Sequence, residues 1–400
     1  MGLTMSERKA VTKQKAQRYQ GASRAVKSSI LDELVELTGW HRDYARAALH
    51  KALQPLRPRV ARPGRKPTYP ADLQPALVTC WAVLRAPAGR LLAAATGYLV
   101  PMLRAEHVLD IDDEQARLLA AMSGPTIDRR LAGEREKMRL HGRSRTKPGS
   151  LLKSQIPIRT WAEWDDAVPG FVEIDLVSHE GSNPAGQFCF TLTVTDIATG
   201  WTVNRSVQNK AQKWVFEALM HVKDVFPFPI IGIDSDNGSE FINDHLYRYC
   251  LEHEITFTRS RPLHKNDGAH VEQKNWSRVR ELVGYQRFDT PRELELLNEI
   301  WELDRTFTNY LLPQQKLVSK TRHGAKVTKK HDKPATPYQR ATGYPGMRKR
   351  PIITMNAEFK KIRVMAMSRK IFALTGELDT LSRHKNKTSI NAAKVAKAQS

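Results

Sequence analysis

Two stretches decide how this chain folds: Phe171–Ser178, reading FVEIDLVS, and residues 233–241, reading IDSDNGSEF. The first alternates apolar and polar positions with a period of two, which predicts a half-buried strand. Its fifth residue is Asp175, and an acid in the middle of an apolar strand is costly unless something neutralises it. The second stretch closes a short apolar strand, 229–233, and passes into Asp236-Asn237-Gly238, residues suited to a tight turn. Working outward, 188–196 and 201–207 read as strands around a turn at 197–200, so the first three strands form an antiparallel meander. Residues 211–225 carry Val215, Ala218, Leu219 and Val222 on one helical face. A helix over 239–253, a strand over 255–258 and a helix over 270–282 complete the order βββαβαβα. Hairpins followed by crossover units give a mixed five-stranded sheet with helices on both faces.

Three acids of this region are the candidate catalytic and metal-ligating residues: Asp175, Asp236 and Glu272. Thirty-five residues lie between Asp236 and Glu272. Oxygen ligands from two aspartates and a glutamate suit hard Mg²⁺ or Mn²⁺ rather than zinc. Asp234 shares the side of Asp236 on an extended strand and is the alternative second ligand, with spacing favouring Asp236. Asp196 and Glu173 are expected to serve turns or the opposite sheet face. Arg259, Arg261, His264, Lys265 and Lys274 flank Glu272 and are expected to meet phosphates, or else to form surface salt bridges. Asn275 and Arg278 follow Glu272 by three and six residues, near its helical face, and are expected to track nucleic acid.

With these residues in view, the region 171–285 resembles the DDE catalytic core of retroviral integrases and bacterial insertion-sequence transposases. The resemblance rests on mid-strand Asp175, the Asp236-Asn237-Gly238-x-Glu240-Phe241 motif, Glu272 at the family's 35-residue gap, and Arg261-Pro262 and Gly268 in the loop before it. It implies an α/β RNase H-like core and two Mg²⁺ (or Mn²⁺) ions per active site. It further implies that Asp175 bridges both ions, with Asp236 on one and Glu272 on the other. The chain departs from retroviral integrases in lacking their His-His-Cys-Cys module, since His41, His50 and Cys80 have no second Cys nearby; zinc is not expected.

The flanks differ in charge from this centre. The 400 residues carry a formal charge of +22, which favours a polyanionic partner. Residues 320–400 hold 20 Lys/Arg against 4 Asp/Glu, whereas 171–300 hold 13 against 19. Basic arms around an acidic centre suit an enzyme whose core gathers carboxylates while its arms hold phosphates. Three widely spaced cysteines exclude a disulfide framework and point to a reducing compartment. No apolar run is long enough to span a membrane, and the N-terminus has no secretory pattern, so a cytoplasmic, nucleoid-associated bacterial protein with no membrane partner is expected.

The flanking segments read as all-α helix-turn-helix modules. A short helix over 29–37, a break at Thr38-Gly39 and a second helix over 41–53 give the first one, with Tyr44, Ala45, Ala48 and Leu49 inward. Arg42, Arg46, His50 and Lys51 would line its outer face and reach bases or phosphates; a helical hairpin with a basic solvent face is the alternative. A Pro/Arg-rich linker over 54–70, including Arg65 and Lys66, reads as a minor-groove arm or a stiff spacer. Residues 71–105 look helical, and 113–122, a Ser123-Gly124-Pro125 turn and 126–140 make a second module decorated by Arg129 and Arg130. The expected domains are 1–68 (helix-turn-helix and linker), 69–153 (second helical module), 165–312 (catalytic core), 335–382 (a small basic C-terminal domain) and 383–400 (a disordered basic tail). Residues 350–367 and 371–374 have β character, as a small barrel would require.

The resulting expectation is a DNA transposase that binds element ends and performs metal-dependent DNA cleavage and strand transfer. Its partner is double-stranded DNA, both element ends and target, and a homodimer or homotetramer on DNA follows from the family. The alternatives are a nuclease of the same fold that only hydrolyses DNA, and a catalytically silent DNA-binding regulator.

Overall fold

The computed structural model describes residues 3–54, 68–137, 168–235, 241, 244–259, 274–323 and 326–398. The chain forms two compact units, Met1–Thr68 and Tyr69–Ser400.

The first unit is three helices, α1 (Met5–Gln20), α2 (Arg24–Thr38) and α3 (Arg42–Leu53). Helix α1 begins at a capping box, in which Thr4 and Glu7 satisfy each other's backbone N–H. It has almost no apolar stripe, so the pattern of its sequence does not announce it. Only Thr12, Ala16 and Tyr19 are buried, against Ile30, Leu31 and Leu34 of α2 and Ala45 and Leu49 of α3. Gly39 sits at φ 67°, the left-handed conformation that ends α2 and turns the chain into α3. Tyr44, expected inward, is exposed and stands edge-on to Trp40; Ala45 and Leu49, four residues apart, fill the interior instead.

In the second unit, α4 (Leu73–Val83), α5 (Gly89–Ala105), α6 (Asp113–Ala120), α7 (Gly124–Arg130) and α8 (Ala132–Lys137) precede the sheet. The helix read over 126–140 is broken at Leu131. Gly124 packs against the start of α5, where a Cβ would come within 2.8 Å of Arg90 Cα.

Five strands follow: β1 (Phe171–Ser178), β2 (Phe190–Asp196), β3 (Thr202–Val207), β4 (Gly232–Ser235) and β5 (Thr256–Arg259). Their order is β3-β2-β1-β4-β5, with β1–β2 and β2–β3 antiparallel and β1–β4 and β4–β5 parallel. This mixed sheet fits the RNase H-like core expected from the sequence. Helices α9 (Gln212–Val225) and α10 (Asp244–Glu252) lie between β3 and β4 and between β4 and β5 in sequence. Val172, Ile174, Leu192, Val194 and Val203 on one sheet face join Val215, Leu219 and Val222 of α9 in one core. The other face is polar along its length, with Glu173, Thr193, Thr195 and Asn204 all buried. A π-helix (Asn275–Arg280), α11 (Glu281–Val283) and α12 (Pro291–Leu311) follow β5, and their Val279, Val283, Leu297 and Trp301 pack with Val177 on this second face.

Beyond α12 come a hairpin, β6 (Leu317–His323) and β7 (Lys326–His331), then α13 (Pro337–Thr342), α14 (Lys349–Lys361) and α15 (Val364–Ala398). The β reading of 350–367 and 371–374 is therefore corrected: these residues are helical apart from Ile362 and Arg363 between α14 and α15, and among the described residues no barrel follows the core. Val364, Ile371 and Leu378 recur every seven residues and are buried, so helical packing overrides the strand preference of their β-branched neighbours. The basic tail, expected to be disordered, continues α15 as helix to Ala398.

Candidate active site

Alternation along β1 sets Glu173, Asp175 and Val177 on the polar face of the sheet. Glu173 therefore shares the face of Asp175 within β1, which corrects the expectation that it serves a turn or the opposite face. Register carries this row across the sheet: Asp175 pairs with Thr193 and Thr193 with Asn204, while Glu173 pairs with Asp234 and Asp234 with Thr258. Asp234 is buried and accepts a 2.6 Å hydrogen bond from Thr258 Oγ1. It is thus held inside the sheet, unlike the half-buried Asp175. Asp196, buried at the end of β2, accepts from the N–H groups of Gly170 and Thr199 and from Thr199 Oγ1, and so closes the β2–β3 turn. Burial pushes its carboxyl up to about 6, against the pull of those donors.

Asp175 is oriented from two sides. Asn275 Nδ2 donates to its Oδ2 at 2.5 Å, and the Leu176 N–H donates to its Oδ1 at 2.7 Å. Asn275 opens the π-helix, an element that recurs at functional sites. Sequence reading gives Asn275 as a nucleic-acid contact and not as a partner of the strand acid; the available signal is its place three residues after Glu272 in the sequence. β4 is described to Ser235, which pairs with Ile174, one residue short of Asp175. Asp236 and Glu272 lie outside the described residues, as do Arg65, Lys66, Arg261, His264 and Lys265. Among the described residues no group of three or more His, Cys, Asp or Glu side chains could hold a metal ion.

Lys274, expected to meet phosphates, belongs to the interior instead, and Arg278, expected to track nucleic acid, is half-buried. Lys274 is buried and its ammonium donates to Gln314 Oε1. Burial, then the nearby Arg278 and Arg340 cations, hold it well below the usual lysine range. Arg278 is lowered in the same way by burial, with Asp304 opposing. The carboxylate of buried Asp304 is paired with Arg85 at 2.6 Å. Val279 and Val283 of the same segment pack with Val177 of the sheet and with Leu297 and Trp301 of α12, which draws the neighbouring basic residues toward the protein.

Of the residues expected to line the first helix-turn-helix, Arg42 is committed to α2, bonding Asp32 and the Ser28 hydroxyl. Arg46 pairs with Asp43 at 3.1 Å on the exposed side, His50 stands edge-on to Tyr19, and Lys51 is exposed. In the second module Arg129 is exposed, whereas Arg130 donates to the carbonyls of Tyr69 and Pro70 at 2.7 and 2.8 Å and so holds the entry to α4.

On the same sheet face, His179 Nε2 and Thr191 Oγ1 share a 2.7 Å hydrogen bond, Thr191 continues to Ser206 Oγ, and Trp301 Nε1 donates to Ser206 Oγ. Burial, then the Arg280 cation, keep this histidine neutral, with its pKa pushed down to about 3. It is a structural link between the meander and α12 rather than a proton carrier at neutral pH.

The mixed sheet, with Asp175 on its central strand, fits an RNase H-like core. Uncharacterized protein y4rM of Sinorhizobium fredii (strain NBRC 101917 / NGR234) is 35% identical over 342 residues, covering 84% of this chain and 96% of the relative. The chain belongs to the family of that protein. No protein-family model matches the chain. Solved structures similar to parts of it include the HTLV-2 integrase catalytic core domain in complex with magnesium. Its dimeric form is 13% identical with a TM-score of 0.29, covering 38% of this chain and 93% of that one. Its trimeric form is 14% identical with a TM-score of 0.24, covering 29% and 70%. The catalytic core domain of BIV integrase is 15% identical with a TM-score of 0.29, covering 42% and 91%. No helix among the described residues is long and apolar enough to cross a membrane.

Proposed function

We propose that the chain is a DNA transposase that binds the ends of a mobile element and catalyses metal-dependent cleavage and strand transfer. The observation that carries this reading is Asp175: a half-buried carboxylate on the central strand of a mixed sheet, held in one orientation by Asn275. Asp175, Asp236 and Glu272 are an oxygen-only donor set, and two Mg²⁺ or Mn²⁺ ions are the hard cations such a set takes. Asp175, Asp236 and Glu272 would hold these ions, whose chemistry when bound would be activation of a water or DNA 3′-hydroxyl and stabilisation of the departing 3′-oxygen. The chain's part is to hold its carboxylates ready. Asn275 fixes the plane of the Asp175 carboxylate, and the buried row of Glu173, Thr193 and Asp234 keeps the strand beneath it rigid.

The remaining assignments belong to the same proposal. Residues 1–68 and 69–153 hold element ends, with Arg46, His50, Lys51 and Arg129 available from exposed helix surfaces and Arg65, Lys66, Arg261, His264 and Lys265 completing the contacts. Residues 165–312 cut and join, and two or four copies act together on DNA in the bacterial nucleoid.

The test uses duplexes carrying the inverted repeats that flank the coding region, with Mg²⁺. Asp175→Asn, Asp236→Asn and Glu272→Gln should each abolish nicking and joining while duplex binding stays within a few-fold of the parent chain. Any of the three retaining normal cleavage sinks the assignment.

A further inference from the structure

The β6–β7 hairpin is unlike any other part of the sheet structure. Residues 317–331 contain five Lys/Arg and two His but no acid. The register sets Lys320 opposite Lys329 and Ser319 opposite Lys330, and like charges facing each other across a ladder are destabilising. The successive residues Leu317, Val318 and Ser319 are all exposed, as are Val327 through His331. Because successive residues face opposite sides of a strand, neither face of the ribbon is covered along these runs. A two-stranded ribbon bare on both faces is marginal in water by itself.

Its base, by contrast, is clamped. Gln314 and Ala335 exchange backbone hydrogen bonds of 2.9 and 3.1 Å, and Asp332 accepts from the Lys316 N–H at 2.7 Å. Arg340 pairs with Asp332 at 2.6 Å and donates to the Gln314 carbonyl. Asp332, the acid nearest to the hairpin in sequence, is thereby used at the root, and the blade beyond it is purely cationic. The fold thus fixes the direction of a ribbon roughly 20 Å long, taking about 3.4 Å per residue, whose own sequence holds no acid.

We infer that the β6–β7 hairpin is a nucleic-acid arm that lies in a groove of duplex DNA, with the exposed Lys329 and Lys330 on its phosphates. A two-stranded ribbon is one of the two elements that the major groove, about 12 Å wide, admits. A flat anionic surface would engage one face of a ribbon, whereas a groove engages both, and both faces here are bare. The inference rests on the transposase reading for its DNA partner but not on the chemistry at Asp175.

The experiment measures binding of the full chain to a labelled 30-base-pair duplex by fluorescence anisotropy across a KCl series. The slope of log affinity against log salt falls by about 0.9 for each phosphate that the protein no longer neutralises. Lys320→Ser/Lys329→Ser/Lys330→Ser should therefore reduce the slope by about 2–3 and weaken binding tens- to hundreds-fold near 0.1 M salt, with the thermal transition unchanged. A second variant, Thr328→Cys, puts a thiol on the exposed ribbon of a chain whose own three cysteines are buried. A photo-crosslinker on it should couple to duplex DNA. An unchanged slope in the triple variant, or no crosslink from position 328, overturns the arm while leaving the catalytic reading standing. Loss of binding to anionic vesicles with duplex binding intact also overturns it and indicates a lipid surface. If the parent chain binds no duplex at all, both readings fall. Cleavage that survives Asp175→Asn while the salt slope still drops would remove the catalytic reading and keep the arm.

Discussion

At the residue scale, the decisive interaction is the hydrogen bond from Asn275 to Asp175. On the proposed reading, a carboxylate that is to hold a cation must keep one orientation, and a neutral amide donor fixes it without adding charge. Loss of such a supporting partner typically lowers metal affinity or activity 10- to 100-fold. We expect Asn275→Ala to slow Mg²⁺-dependent cleavage by about that factor and to raise the Mg²⁺ concentration needed for half-maximal rate, with duplex affinity unchanged. A cleavage rate and Mg²⁺ titration identical to those of the parent chain would show that the hydrogen bond plays no part. Asp175 itself was legible in the sequence, because an acid inside FVEIDLVS breaks an apolar pattern. The inward turn of Lys274 was not. A lysine one residue from a polar partner looks the same in sequence whether its ammonium meets solvent or Gln314; only the packing of α12 decides it.

At the element scale, β3 is an edge strand, and an open edge invites pairing with other chains. Helix α12 closes it with side chains. Asn309 accepts from the Thr202 N–H at 2.9 Å and donates to the Thr202 carbonyl at 2.8 Å; Asn298 does the same for Ser206 at 2.8 and 3.2 Å. Asn309 is fully buried, while Asn298 is half-buried. Asn309→Leu would strand a buried donor and a buried acceptor, each costing about 1–3 kcal/mol. Chemical denaturation should accordingly show a loss of about 2–5 kcal/mol for Asn309→Leu and a smaller one for Asn298→Leu, where water reaches the edge. Equal, small losses in both would mean that the edge is not closed in this way. The meander and crossover units that these bonds support were readable, since period-two alternation and turn residues mark them locally. The C-terminal helices were not: Ile352, Ile353 and Val364 favour strands locally, and the long-range seam of α15 on α12, through Leu378 and the bond from Lys385 to Glu293, overrides them.

At the scale of the whole second unit, the helical block before the sheet meets α12 through several contacts, among them the Tyr98 hydroxyl donating to the Leu311 carbonyl at 2.9 Å and one ion pair. Arg85 lies in the bend between α4 and α5, where it and Ala86 both adopt left-handed backbone, φ 62° and 57°. Such conformations are strained for residues with a Cβ and persist only where the surroundings enforce them. Here the enforcement comes from α12: the Arg85 guanidinium bonds Asp304 at 2.6 Å and lies 4.4 Å above the Phe307 ring. Thr308 Oγ1 also donates to Asp304 at 3.1 Å, and Arg278 and Lys274 lie within its field. One buried carboxylate therefore balances several cations. Breaking a buried pair from one side leaves uncompensated charge and costs about 3–5 kcal/mol, whereas replacing both partners by apolar groups is often near neutral. Because Arg85 is partly exposed, we expect Asp304→Asn to cost about 2–4 kcal/mol in urea unfolding of the full chain. Arg85→Met/Asp304→Leu should be less destabilised than the sum of its single variants, a coupling that a double-mutant cycle measures directly. Strict additivity would show that the strained bend is held by something other than Asp304.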